Sequence, residues 1–153
     1  MKQAITIFTD GSCHTQIKTG GWASIILHQG EKIILEGTCH KTTHQRMELT
    51  AVLESLKYLQ LKNLIEEDIC IYSDSQYVVD FLRRKEKLRL ANFQTKKLKP
   101  IRNADLVHML MAYIDYPNIQ FQKIKSHQKL SSNESYLNRE VDLLSKKNMR
   151  GHR

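Results

Sequence analysis

Proline and glycine are scarce, 2 and 6 among 153 residues, which excludes collagen-like, linker-like and low-complexity organisation. Cysteine is scarce too, and odd in number: Cys13, Cys39 and Cys70 form no CxxC pair, so neither a disulfide framework nor a zinc ribbon is expected. Reduced thiols fit a cytosol better than an oxidising compartment. Cys39 and His40 grouped with His44 lack the fourth ligand of a structural zinc site. The single tryptophan, Trp22, falls in an apolar run and is expected in the core. Long apolar runs are missing. The first, residues 4–8, is too short for a signal-peptide core and leads into Asp10 with no small-residue cleavage site. No run approaches the ~20 residues of a membrane helix. The expectation is a soluble cytoplasmic protein with no membrane contact.

What is present is 41% hydrophobic and 26% charged residues over the length of one ordinary domain, so residues 1–153 are read as a single domain. A domain of that size buries roughly two-thirds of its unfolded surface and needs no staple. Lys and Arg outnumber Asp and Glu by 24 to 16, and the surplus is local. Nine basic residues (Arg83, Arg84, Lys85, Lys87, Arg89, Lys96, Lys97, Lys99, Arg102) lie between positions 83 and 102 against one acid, Glu86, leaving 15 of each sign elsewhere. A neutral body with one basic segment suits docking to a polyanion, because nucleic-acid affinity comes largely from cations at phosphates and the counterions they release. A solvated helix face is the plain alternative.

Three β-branched and apolar runs, 4–9, 21–28 and 32–39, predict an antiparallel meander with a turn at Gln29-Gly30. The period then changes: Leu49, Val52, Leu53 and Leu56 share a face at helical spacing over 46–60. That helix begins near Thr43, where a Thr42–Gln45 capping box competes for the cap. A strand at 69–73, a helix from Ser75 onward, a helix around Leu106 to Tyr113 ended by Pro117, a strand at 119–124 and a last helix holding Val141, Leu144 and Ser145 complete the chain. The predicted order is βββ-α-β-α-α-β-α, an α/β fold with a mixed five-stranded sheet, three antiparallel strands followed by two more, flanked by helices.

Four acids fall at element ends or in helices: Asp10 in TDGS, Glu48 in RMEL, Asp74 in YSDSQY and Asp142 in NREVD. Phosphodiester hydrolysis at neutral pH needs an activated water and neutralisation of growing charge, which two metal ions ~3.5–4 Å apart provide. Mg²⁺ in such a site takes a few carboxylates together with waters and substrate phosphate. Each acid also has a plain structural reading. Asp10-Gly11 fits a turn, Glu48 a helix-dipole residue, Asp74-Ser75 an N-cap and Asp142 a solvated helix position.

Taken together, TDGSC, RMEL and SDSQYV in this order and spacing resemble the type 1 ribonuclease H family, over essentially the whole chain. The resemblance implies a ribonuclease H-like fold and an endonuclease that cuts the RNA strand of an RNA/DNA hybrid. It implies that Asp10, Glu48, Asp74 and Asp142 bind two Mg²⁺ ions, with Mn²⁺ possible. One ion would position the attacking water and the other stabilise the leaving 3′ oxygen, giving 5′-phosphate and 3′-hydroxyl ends. His127, in KSHQK, matches a loop histidine assigned to proton transfer or product release, which suits a group titrating near neutrality. It stands 15 residues before Asp142, a longer interval than the bacterial pattern, while Asn138 and Asp142 keep an Asn-x-x-x-Asp form.

The same resemblance makes Thr43 a phosphate-pocket residue at a helix N-terminus, and Gln45 and Gln76 hybrid contacts. Gly11, Ser12 and Cys13 would contact the hybrid through their backbone. Gln16 and Asn138 also match contact positions, and His44 departs from the asparagine usual at its place. Residues 83–102, with Lys96, Lys97 and Lys99, match a basic handle but carry none of the tryptophans common there. A monomer is expected. Three other readings are an integrase- or resolvase-like relative, disfavoured by RMEL and NREVD, a hybrid-binding module without activity, and a ribonuclease H domain cut from a reverse transcriptase. Met1 so close to Asp10 suits a free-standing protein.

Overall fold

The computed structural model describes residues 4–125 and 132–151, apart from the side chain of Leu82. Five strands, β1 (Ala4–Cys13), β2 (Gly20–His28), β3 (Glu31–Cys39), β4 (Asp68–Ser73) and β5 (Ile119–Lys123), form one sheet in the order β3-β2-β1-β4-β5. The meander pairs antiparallel, while β4 and β5 add to β1 in parallel, so the sheet is mixed as expected. Parallel neighbours need crossovers. They are supplied by α1 (His44–Leu61) before β4, and by α2 (Gln76–Val79), α3 (Phe81–Leu90) and α4 (Ala104–Ile114) before β5. The last helix is α5 (Asn133–Arg150).

Alternation along each strand divides the apolar residues between two faces. Ile5, Ile7, Ile26, Ile69 and Ile71 meet Leu49, Val52, Leu56 and Leu59 of α1 and Leu110 of α4 on one side. Phe8, Ala23, Ile25 and Ile124 meet Val141 of α5 on the other, where Tyr72 stacks on Phe8 at 4.8 Å. Among the described residues no helix is long and apolar enough to cross a membrane.

Four local expectations change. β1 continues to Cys13, so Asp10-Gly11 is strand paired with β2 rather than a turn. Thr43, not Thr42, caps α1 by accepting the Arg46 N–H at 3.2 Å, and Thr42 Oγ1 is buried without a partner among the described residues. The helix from Ser75 is interrupted at Asp80, which separates α2 from α3 while its own backbone stays in the right-handed region. There its carboxylate is taken by the side chains of Gln76 and Arg83. Trp22 lies half-exposed on the sheet, over the bare Cα of Gly37, instead of in the core.

Candidate active site

The parallel register of β1 with β4 ends at Thr9 and Ser73, so Asp10 and Asp74 are the next residues of neighbouring strands at the same edge. Glu48 comes down on them from the first turns of α1. The approach depends on Gly11: a Cβ there would lie 2.4 Å from the Glu48 nitrogen and from the Met47 carbonyl carbon, so only glycine lets α1 sit this close to β1. Gly21 does the same on the opposite face, where a Cβ would lie 2.3 Å from the Met149 nitrogen and the Ser145 carbonyl of α5. Two helices are thereby drawn onto one end of the sheet from both sides.

Carboxylate oxygens of Asp10, Glu48 and Asp74 lie within 4.8 Å of one another. Asp10 and Glu48 are only 6% and 7% exposed. Asp142 stands at the rim, hydrogen-bonded to Asp10 and held at 3.0 Å by Lys146 Nζ one turn on. It is not within 4.8 Å of all three. The plain readings of Asp10, Glu48 and Asp74 fail on the same details. Asp10 is in no turn, Ser75 rather than Asp74 accepts the capping Val78 N–H at 3.3 Å, and Glu48 lies beyond the first turn and is buried.

Crowded acids resist ionisation. Burial, then the charge of Asp74, then the hydrogen bond and charge of Asp142, push Asp10 up to about 9. Asp74 is raised by burial first and then by Glu48 and Asp142, while Lys123 and His44 pull it back. His44, one turn before Glu48, brings Nε2 to 3.5 Å from Glu48 Oε2, and that hydrogen bond, opposed by burial, raises its pKa. The His44–Glu48 spacing of four was legible as a helical neighbour pair, and so was Asp142–Lys146.

The cluster fits a divalent cation. Octahedral Mg²⁺ with oxygens at ~2.1 Å spaces its ligands roughly 3–4.2 Å apart, close to the observed spread, and its charge would oppose the burial and the neighbouring carboxylates that push Asp10 up.

A family model for RNase H matches residues 2–150. The chain belongs to the RNase H family. A ribonuclease H of Chlorobium phaeobacteroides (strain BS1) is 33% identical over 155 aligned positions covering 100% of both chains. Among solved structures, LC9-RNase H1, described as a type 1 RNase H with the type 2 active-site motif, superposes with a TM-score of 0.81. It shares 17% identity and covers 100% of this chain and 75% of that one. A foamy viral protease-reverse transcriptase, solved with an RNA/DNA hybrid, superposes with a TM-score of 0.78 at 17% identity, covering 97% of this chain and 20% of that one. The expected ribonuclease H-like fold is therefore present. The enzyme class expected from the motifs, a ribonuclease H and so a nuclease and hydrolase, stands with membership of the RNase H family.

The other residues singled out by the resemblance fall in several elements. Thr43 and His44 are exposed at the start of α1, and Gln16 is exposed in the β1–β2 turn. Gln76 opens α2 and donates to Asp80. Gln45 lines a groove of about 230 Å³ with Tyr77, Phe81, Arg84 and Arg102. Gly11 and Ser12 are buried and Cys13 half-buried, leaving their backbone rather than their side chains for any contact. Asn138 is buried on α5 one turn before Asp142. Lys96, Lys97 and Lys99 are exposed in the turns after α3, where Phe93 packs on His108 at 4.2 Å. None of the three lysines has an ion-pair partner among the described residues, whereas Arg83 and Arg89 are paired. His127 lies outside the described residues.

Two neighbours of the cluster escaped the sequence reading. Lys123 ends β5 opposite Ser73, beside Asp74, and Ser145 places its hydroxyl 3.2 Å from Asp10 Oδ2. Nothing in the motifs marked either one, since both depend on register between distant segments.

Proposed function

We propose that the chain hydrolyses the RNA strand of an RNA/DNA hybrid endonucleolytically, as a cytoplasmic monomer, leaving 5′-phosphate and 3′-hydroxyl ends. The observation that carries the reading is the meeting of buried Asp10 and Glu48 with half-buried Asp74, from β1, α1 and the end of β4, a costly arrangement without cations. With Asp142 they are assigned to hold two Mg²⁺ ions, Mn²⁺ being the alternative. When bound, such a pair supplies Lewis acidity that activates a water and offsets charge growing on the phosphate and leaving oxygen.

The chain's own residues do the rest. The four carboxylates hold the reacting phosphate's counter-charges in place on rigid strands and helices. His127 is assigned to move a proton near neutral pH. Thr43 and the first N–H groups of α1 are assigned a phosphate of the DNA strand. His44, Gln45, Gln76, Gln16, Asn138 and the Gly11 to Cys13 backbone are assigned to the hybrid, where the 2′-OH distinguishes RNA from DNA. Lys96, Lys97 and Lys99 supply sequence-independent affinity. The solved viral relative holds a hybrid, which supports this substrate.

The test is digestion of hybrid, double-stranded RNA and double-stranded DNA, each strand labelled in turn, with product ends identified enzymatically. Cutting confined to the RNA of the hybrid, with 5′-phosphate ends, is the expected result. Equal cutting of double-stranded RNA, or 3′-phosphate ends, contradicts it.

A further inference from the structure

Ser145 is wholly buried in α5, and its hydroxyl sits among three oxygens. Ser12 Oγ is at 2.9 Å, the Asp142 carbonyl at 2.9 Å and Asp10 Oδ2 at 3.2 Å. A serine inside a helix commonly satisfies itself on a carbonyl one turn back. This one does so and also reaches across to the sheet, because Gly21 lets α5 close down on β2.

We propose that Ser145 is a positioning residue of the ion site. Its hydroxyl holds one oxygen of Asp10 and so sets the orientation in which that carboxylate meets a divalent cation. This rests on the reading of Asp10, Glu48 and Asp74 as ion ligands. The torsion of a carboxylate about its last bond is soft, so an untethered Asp10 would turn freely within its pocket. Ser145 has one hydrogen for two acceptors. An anionic oxygen accepts more strongly than a peptide carbonyl, so with a cation beside Asp10 the hydrogen goes to Oδ2. Ser12 then donates into the Ser145 oxygen, which has lone pairs to spare. The chain Ser12 to Ser145 to Asp10 thus runs in one direction, from β1 through α5 and back to β1, and it ties the two elements that carry Asp10 and Asp142. Ser145 touches no substrate.

The test titrates Mn²⁺ alone, without nucleic acid, into wild type, Ser145→Ala and Ser145→Cys. Free Mn²⁺ is read by electron paramagnetic resonance and folding by far-ultraviolet circular dichroism. Loss of a partner that orients a metal ligand typically weakens binding 10–100-fold. Ser145→Ala is expected to fold and to lose affinity in that range, roughly 10–100-fold, with Ser145→Cys between the two because a thiol donates weakly. Cleavage by Ser145→Ala is expected to recover as Mn²⁺ is raised, which a merely structural defect would not do. A folded Ser145→Ala that binds Mn²⁺ within about twofold of wild type overturns the proposal. Should Ser145→Ala fail to fold, Ser145→Cys decides: wild-type affinity overturns the proposal and weakened affinity supports it. Absence of Mn²⁺ binding by wild type itself would remove the ion site, and this inference with it.

Discussion

Asp10 carries opposite consequences for stability and for chemistry. Its carboxyl is raised from an ordinary 3.8 to about 9, so its contribution to stability is full below 3.8 and is lost progressively as pH rises through about 9. Asp10→Asn keeps the shape and removes the charge. In EDTA at pH 8 the variant is expected to be more stable than wild type by more than about 1 kcal/mol, since each tenfold change in an acid constant is about 1.4 kcal/mol. The difference should vanish near pH 4. Added Mg²⁺ should raise the melting temperature of wild type, by about 2.7 kcal/mol of stability at a hundred times Kd, and leave the variant where it was. Thermal unfolding at the two pH values, with and without Mg²⁺, checks all three statements; a variant less stable than wild type at pH 8 in EDTA contradicts them. His127→Ala should slow single-turnover cleavage by no more than the ~10²–10⁴-fold typical of proton transfer. A loss as complete as that of Asp10→Asn would make His127 a ligand or a structural residue. At this scale TDGS, RMEL and SDSQY are local signals that pointed to Asp10, Glu48 and Asp74, the three acids that lie within 4.8 Å of one another, while Asp142 of NREVD stands at the rim. Ser145 and Lys123 were illegible because they matter only through register with residues more than a hundred and about fifty positions away.

The elements reach the site through glycine as much as through hydrophobic pattern. In Gly11→Ala the new methyl meets the backbone of Met47 and Glu48, which has no flexible end to give way, so α1 must shift. Overpacking of this kind costs roughly 1–3 kcal/mol. Activity should fall further than stability does, because Glu48 moves with the helix. Comparing the denaturation midpoint with kcat separates the two, and full activity in a destabilised Gly11→Ala would show that Glu48 tolerates displacement. Element order and the α/β class were readable from the change of period between residues 39 and 46. Boundaries were not. β1 outran its apolar run because β2 continues to pair with it to Cys13, and the interruption at Asp80 leaves no mark in the apolar period, which runs on from Val78 to Phe81.

Over the whole molecule, charge and chemistry are separated. The carboxylates gather at one end of the parallel strands, while Lys96, Lys97 and Lys99, unpaired among the described residues, stand beyond α3. Replacing Lys96, Lys97 and Lys99 with Ala should weaken hybrid binding at all sequences alike and reduce the slope of log K against log salt by up to roughly 2–3. Turnover at saturating hybrid should change little. A salt titration in Ca²⁺, beside saturation kinetics in Mg²⁺, reads both. An unchanged slope would leave the segment a solvated face. The local charge surplus was plain in the sequence, and so was the Asp80–Arg83 spacing of three, but not that Arg89 is taken by Asp115, an acid that folding brings near. The most direct test of the site is cleavage of a hybrid labelled on its RNA strand by wild type and Asp10→Asn, in Mg²⁺ and in EDTA. The expected result is cutting by wild type in Mg²⁺ and by neither protein otherwise. Cutting that survives EDTA, or an Asp10→Asn rate near that of wild type, would contradict a cation-dependent centre built on Asp10, Glu48 and Asp74.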